Sequence, residues 1–175
     1  MADTTIPYLV TIFTQHYAIT GGLFLHDKRL SDFLNDRRDS TIMLRNTSLA
    51  RLEEPNKVLQ ISPFSVVPKA EIELAFEPPQ KTSPPGRLFM KYPKQKYPVF
   101  LVTTGMEIRG ELNLQGALDL RLVFADAADS FIPITAASVT LKANPALVLK
   151  REAVLVNVRH IGFMGEAQPE GKPQG

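Results

Sequence analysis

The side chains of this 175-residue chain that could carry catalysis or bind a metal are few and scattered. His16, His26 and His160 are far apart, and no two of them have the spacing of metal ligands on one helix. Cysteine is absent, which excludes disulfides, thiolate metal sites and cysteine nucleophiles. We therefore predict surface histidines, with no metal site and no cofactor.

Paired carboxylates are the next candidates for chemistry. Glu107 and Glu111 flank Arg109 on a predicted strand, so the three side chains face one side of a sheet. Glu71 and Glu73 alternate with apolar residues in the same way. Solvent-facing charges account for both sets better than a general acid and base, which would need a desolvated cleft.

Two Asp-Ser steps, Asp39-Ser40 and Asp129-Ser130, could suggest a serine nucleophile. Asp and Ser at the start of a strand more often bond to the backbone in a turn. The chain has no Gly-x-Ser-x-Gly sequence and no glycine-rich phosphate loop. We predict that the protein is not an enzyme and has no catalytic residues.

A basic segment with interleaved aromatic residues is the candidate contact for nucleic acid or a partner protein. Its residues are Arg87, Phe89, Lys91, Tyr92, Lys94, Lys96 and Tyr97. Cations bind phosphates and aromatic rings stack on exposed bases, so the segment could hold single-stranded RNA or DNA. The alternative, which we favour, is a basic connector whose aromatic side chains cover the domains that it joins.

The elements that would position these residues occur twice. Tyr8–Leu25 and Tyr97–Leu114 align without a gap, 89 positions apart, and each is typical of two strands around a short turn. Gly21 and Gly110 fall at the same place in the middle of a strand, where glycine weakens a sheet unless a bend or close approach requires it. We interpret the two copies as a duplication.

A change of periodicity follows the first hairpin. In His26–Asp39 the apolar residues have helical spacing, which predicts one or two helical turns. Asp27 is the candidate N-cap of this helix and Asn35 its candidate C-terminal stop. The corresponding stretch of the second copy, Leu118–Phe124, fits either a helix or a strand, and periodicity does not decide between them.

The predicted fold is all-β, with two tandem small bent-sheet barrels that each contain at most a short helical turn. The predicted segments are a flexible arm at 1–7, a first barrel at 8–77, a linker rich in proline and lysine at 78–96, a second barrel at 97–164 and a disordered tail at 165–175. A domain of about 60 residues buries only about 60% of its unfolded surface, so each half would be marginally stable alone, and it would leave sheet edges unpaired. We therefore expect a homo-oligomer or a tight pair of barrels within the chain.

The second copy resembles a known family in the order of its elements. Val99–Phe163 runs through a strand, a turn, a bent strand with Ile-x-Gly-x-Leu, an apolar run and further strands. This order resembles the Sm-like family of small five-stranded barrels, which are related in shape to SH3-like barrels. The overall pattern, including RLSDFLN before a strand, is also similar to an uncharacterised bacterial family.

The resemblance implies the fold without the RNA site of that family. Sm-like RNA binders use an acidic-x-aromatic-Met-Asn loop and an Arg-Gly-Asn/Asp loop. The corresponding places are Gln115–Ala117 and Lys150–Glu152, and neither fits these patterns. The residues that would stack on and clamp a base are therefore missing.

Charge and composition narrow the classes of function. A net charge of +2 and a pI near 8.9 fall short of a dedicated nucleic-acid binder. Neither a secretory signal nor an apolar run long enough for a bilayer is present, so we expect a cytoplasmic protein with no membrane partner. The resemblance to the uncharacterised family implies that the protein is bacterial.

From these observations we expect a non-catalytic assembly or scaffold module that self-associates through its sheet edges. One alternative is binding of RNA or single-stranded nucleic acid through the basic segment. Another is a small-molecule sensor that binds its ligand in the cleft between the barrels.

Overall fold

The computed structural model describes residues 7–77, 93–125 and 129–168. In chain order their elements are β1 (Tyr8–Phe13), β2 (Tyr17–Leu23), α1 (Leu30–Asn35), β3 (Thr41–Arg51), β4 (Val58–Pro68), a 3-10 turn (Lys69–Glu71), β5 (Leu74–Phe76), β6 (Gln95–Thr103), β7 (Met106–Leu114), α2 (Leu120–Val123), β8 (Phe131–Leu141), β9 (Asn144–Asn157), a second 3-10 turn (Val158–His160) and β10 (Ile161–Glu166). We call β1–β5 the first half and β6–β10 the second half.

The strands of the described residues pair in one antiparallel sheet with the order β10-β6-β7-β8-β9-β5-β1-β2-β3-β4. The all-β prediction is confirmed. Within the described ranges the sheet is not closed, because β4 and β10 lie at its two ends. The finer prediction of two tandem barrels is not confirmed by this topology.

The two halves pair their strands in the same register. Thr20 lies opposite Ser48 in the first half, and Arg109 lies opposite Ser138 in the second. Directly after these pairs the register shifts in both halves. The backbone is also left-handed at one equivalent position in each half, with φ of 48° at Asn46 and at Ala136. The two halves are therefore equivalent in the irregularities of their strands as well as in their pairing.

Each of the two apolar clusters contains residues from both halves. One cluster is built mainly on the second half but includes Phe13, Leu52 and Leu74 of the first. The other is built mainly on the first half but includes Phe131 and Leu155 of the second. Each half therefore buries side chains of the other, which holds β5 against β9.

The helix predicted after the first hairpin is confirmed, and it ends at Asn35 as expected. Asp27 as its N-cap was wrong, because the cap is Arg29 and Asp27 has a left-handed backbone (φ 63°) in the preceding turn. In the second half the stretch left open contains a helix, Leu120–Val123. The side chain of Asp119 caps it by accepting a hydrogen bond from the backbone N–H of Arg121 (3.0 Å).

The first and last strands of the second half lie partly in the segments predicted as linker and tail. β6 begins at Gln95, inside the predicted linker, because Gln95 and Lys96 extend the ladder with β7. β10 continues to Glu166, inside the predicted tail, because that residue pairs with Val99. Residues 1–6, 78–92 and 169–175, which hold most of the predicted arm, linker and tail, lie outside the described residues. Among the helices that are described, none has the length and apolar character to cross a membrane.

Candidate functional site

β4 forms one end of the sheet, and both of its faces expose apolar side chains. Among the described residues, no strand pairs with its outer edge. The exposed large apolar residues of this strand are Val58, Leu59, Ile61, Phe64 and Val66, which keep between 52% and 71% of their surface in contact with solvent. β4 is therefore an unusually apolar edge strand, the kind that pairs readily with another chain.

The apolar surface of β4 continues onto the neighbouring strand. Met43 of β3 lies directly opposite Val66 and is also exposed. The guanidinium of Arg45 lies over the ring of Phe64 (5.4 Å to the centroid) and over that of Phe24 (4.9 Å). The Arg45 guanidinium is thus held between two aromatic rings beside the edge.

β10, at the other end of the sheet, also exposes an aromatic side chain. Phe163 is 55% exposed, and its ring centroid lies 6.3 Å from that of Phe100 on β6. The guanidinium of Arg109 covers the Phe100 ring at 4.5 Å. The two ends of the sheet therefore both carry apolar surface, although β4 carries more.

The seam between the halves is the pairing of β5 with β9. Leu74 lies opposite Val156, and Ala75 lies opposite Leu155. The backbone N–H of Asn157 extends this ladder by donating to the Glu73 carbonyl (2.9 Å), and the Asn157 side chain donates to the Ile72 carbonyl (2.9 Å). The seam is thus short in strand pairs and reinforced by polar contacts.

Glu73 contributes a buried carboxylate to the seam. Its Oε2 accepts hydrogen bonds from the hydroxyl of Thr103 (2.7 Å) and from the backbone N–H of Gly105 (3.1 Å), both in the second half. Its Oε1 has no hydrogen-bond partner within the described part of the chain. The prediction of a solvated face for Glu73 was wrong, because a 3-10 turn ends at Glu71 and interrupts the alternation before β5 begins.

A cleft of about 450 Å³ lies where the halves meet near α1 and the second 3-10 turn. Both Asp-Ser steps, Asp39-Ser40 and Asp129-Ser130, line it together with Arg159. Lys69 forms part of its wall, and its ammonium donates to the carbonyls of Phe33 (2.9 Å) and Asp36 (2.8 Å). Burial lowers the pKa of Lys69 below its ordinary value.

Asp36 is a second charged residue of the cleft wall. Hydrogen bonds from the Arg38 guanidinium and the Lys28 ammonium hold the pKa of its carboxyl far below its ordinary value. The Asp36 carboxylate is therefore already paired with Arg38 and Lys28 of the same chain.

The basic segment is only partly described. Arg87, Phe89, Lys91 and Tyr92 lie outside the described residues. The three described members start the second half, where Lys94 and Lys96 are exposed and Tyr97 is partly buried. Lys96 forms an ion pair with Glu111 (3.1 Å), and the Tyr97 hydroxyl donates to the carbonyl of Gly116 (2.6 Å). Contact of this segment with nucleic acid stays a prediction.

The other predicted candidates are dispersed. His160 lies in the second 3-10 turn, with its Nε2 at 2.6 Å from the carbonyl oxygen of Ala70, while His16 and His26 lie in different turns. Within the described ranges, no three His, Asp or Glu side chains are grouped so that they could hold a metal ion. Gly21 and Gly110 lie in β2 and β7, where each faces the neighbouring strand closely.

Sequence reasoning missed the exposed edge of β4. The apolar residues of Lys57–Ser62 and Val66–Phe76 indicate strands, but they do not show which strand ends the sheet. One signal was available, because Val58, Leu59 and Ile61 are apolar on both faces of the strand.

Comparison with known proteins adds no relative: no protein-family model, no curated protein and no solved structure matches this chain.

Proposed function

We propose that this protein is a non-catalytic assembly module that associates with further copies of itself through the ends of its sheet. The observation that carries the proposal is β4, an eleven-residue edge strand with five exposed large apolar side chains. In monomeric proteins such edges are short, charged or covered. Within the described part of the chain β4 is long, carries no charge and is not covered, and its one such device is proline, with Pro63 removing an N–H donor from the middle of the strand.

Burial of β4 would stabilise an assembly in two ways. Main-chain N–H and C=O groups at the outer edge would gain partners, as they do in strand addition generally. Side chains such as Phe64 and Val66, at 60% and 63% exposure, would leave water. Each fully buried side chain of this type contributes about 1.5–3 kcal/mol, which offsets part of the cost of association.

Sizing of the full chain by light scattering over a range of concentrations tests the proposal. We expect a mass above that of the 19.5 kDa chain, and a reduced mass for Val66→Lys, which puts a charge on the edge. Leu122→Lys is the matched control, because Leu122 is 66% exposed and belongs to α2, between β7 and β8, rather than to either end strand. A wild-type protein that stays monomeric at every concentration would refute the proposal.

The cleft supports a second candidate function, the binding of a small polar molecule. The observation in its favour is that two equivalent Asp-Ser steps, 90 positions apart, line one cavity together with Arg159. A volume of about 450 Å³ is within the range of ligand pockets. A thermal-shift screen of polar metabolites tests this function, with Arg159→Ala as the variant in which the shift should disappear. No stabilisation by any compound would count against it.

A further inference from the structure

We propose that the strand that pairs with the free edge of β4 is β10 of a second copy of this chain. The inference rests on the proposed function, since it names the partner strand and its register. Each molecule already contains a template for this contact. The two halves have equivalent strands, so β9 corresponds to β4 and β10 corresponds to β5. The pairing of β5 with β9 at the seam is therefore the counterpart, within one chain, of β10 pairing with β4 of another copy.

The correspondence is visible in the strand pairs on either side of the seam. In the first half, Ile42 pairs with Val67 and Ile12 pairs with Ala75. The equivalent pairs of the second half are, in the same order, Ile132 with Val156 and Leu101 with Met164. Val67 therefore takes the place of Val156, and Met164 takes that of Ala75.

The template fixes the register between two copies. The seam pairs Leu74 with Val156 and Ala75 with Leu155. Replacing each residue by its equivalent pairs Phe163 of one copy with Val67 of the next. The adjoining pair is Met164 with Val66.

Burial at the seam and exposure at the free ends support this register. Leu155 is buried in the seam, whereas its equivalent Val66 is 63% exposed. Leu74 is fully buried, whereas its equivalent Phe163 is 55% exposed. Val66 and Phe163 thus stand in water at positions whose equivalents the seam covers. The seam does not cover the equivalents of Phe64 and Val58, which are Ala153 and Val148, so the template applies to the end of β4 next to Pro68.

The contact between copies would be weaker than the seam. Pro68 replaces Asn157 and has no N–H to donate, and Gly162 replaces Glu73 and has no carboxylate. We therefore expect a reversible association that depends on concentration. Because the two surfaces differ, copies add head to tail until the chain of copies closes into a ring or continues as a filament.

Cysteine cross-linking tests the register, since the natural chain contains no cysteine. Two full-length variants, Val66→Cys and Met164→Cys, are oxidised separately and as a mixture, with one of them enlarged by a tag. Directly opposite residues bring their Cβ atoms close enough for a disulfide. Val67→Cys with Phe163→Cys is a second pair at the adjoining position, and Ile61→Cys with Met164→Cys is the control out of register.

We expect a disulfide-linked heterodimer from the mixture of Val66→Cys and Met164→Cys and from the adjoining pair, and none from the control. Cross-linking of Val66→Cys with itself would overturn the inference in favour of β4 pairing with β4. Absence of cross-links in both pairs, with the wild type still oligomeric, would overturn the inference alone. A monomeric wild type would remove the proposed function as well.

Discussion

Gly21 and Gly110 are equivalent residues at which the strand register shifts, between Thr20 and Gly22 in one half and between Arg109 and Glu111 in the other. The two sites differ in how tightly they are packed. A Cβ atom on Gly110 would lie 2.5 Å from Cγ2 of Ile134 and 2.8 Å from a backbone carbonyl oxygen. A Cβ atom on Gly21 would have its nearest neighbours at 3.1–3.2 Å.

The first prediction concerns these glycines. We expect Gly110→Ala to lower the free energy of unfolding by about 2–3 kcal/mol, because backbone and a branched side chain must move. Gly21→Ala should cost about 1 kcal/mol or less, since a shift of tenths of an ångström accommodates the methyl group and alanine favours a strand over glycine. Urea denaturation at one protein concentration measures both, and equal costs would contradict the prediction.

A second prediction concerns the buried carboxylate of the seam. The Glu73 carboxylate and the Thr103 hydroxyl are 2.7 Å apart and link the two halves. A double-mutant cycle with Glu73→Ala and Thr103→Val should give a coupling energy of about 1.5–3 kcal/mol, the range for hydrogen bonds to charged groups. Independent effects of the two substitutions would show that this contact does not stabilise the seam.

The pH dependence of stability provides a third prediction. The pKa of Asp36 is lowered in the folded chain, so its ionised form is stabilised by folding. This stabilisation is complete above the ordinary value of 3.8 and is lost as the pH falls through the lowered value. The difference in unfolding free energy between wild type and Asp36→Asn should therefore shrink on acidification below about pH 4.

Arg38→Gln gives the same measurement a control. Hydrogen bonding from Arg38 is the largest cause of the lowered pKa of Asp36, and that from Lys28 comes next. The acid dependence assigned to Asp36 should therefore be smaller in Arg38→Gln, in which the Lys28 ammonium and the backbone N–H of residue 38 still lower the pKa of Asp36. A difference between wild type and Asp36→Asn that stays constant with pH would contradict the assignment.

Local patterns were sufficient to predict much of the fold. Alternation of Val99, Leu101 and Ile108 identified the strands of the second hairpin, and the spacing of Leu30 and Leu34 identified α1. These features depend on residues close in sequence, where periodicity reports directly which face is buried.

The seam and the ends of the sheet could not be predicted in the same way. Leu74 and Val156 are 82 positions apart, and each would read as an ordinary strand residue beside either half. Glu73 was expected on a solvated face, because nothing in its neighbours shows that the turn of another hairpin covers it. Exposure of β4 follows from which strands pair at the seam, so it is also a property of the whole fold.

A last prediction concerns a contact between residues 96 positions apart. The Asn35 side chain donates to the backbone carbonyl of Phe131 (3.0 Å) and accepts from the N–H of the same residue (2.8 Å), joining α1 to β8. Asn35→Ala leaves both backbone groups without their partner, and we expect it to cost about 2 kcal/mol. Asn35→Asp keeps the acceptor but faces the carbonyl with a carboxylate oxygen, so it should not restore stability.

Asn56→Ala, in an exposed turn, is the control and should change stability by less than about 0.5 kcal/mol. Equal unfolding free energies for Asn35→Ala and Asn56→Ala would show that this pair of hydrogen bonds does not hold the halves together.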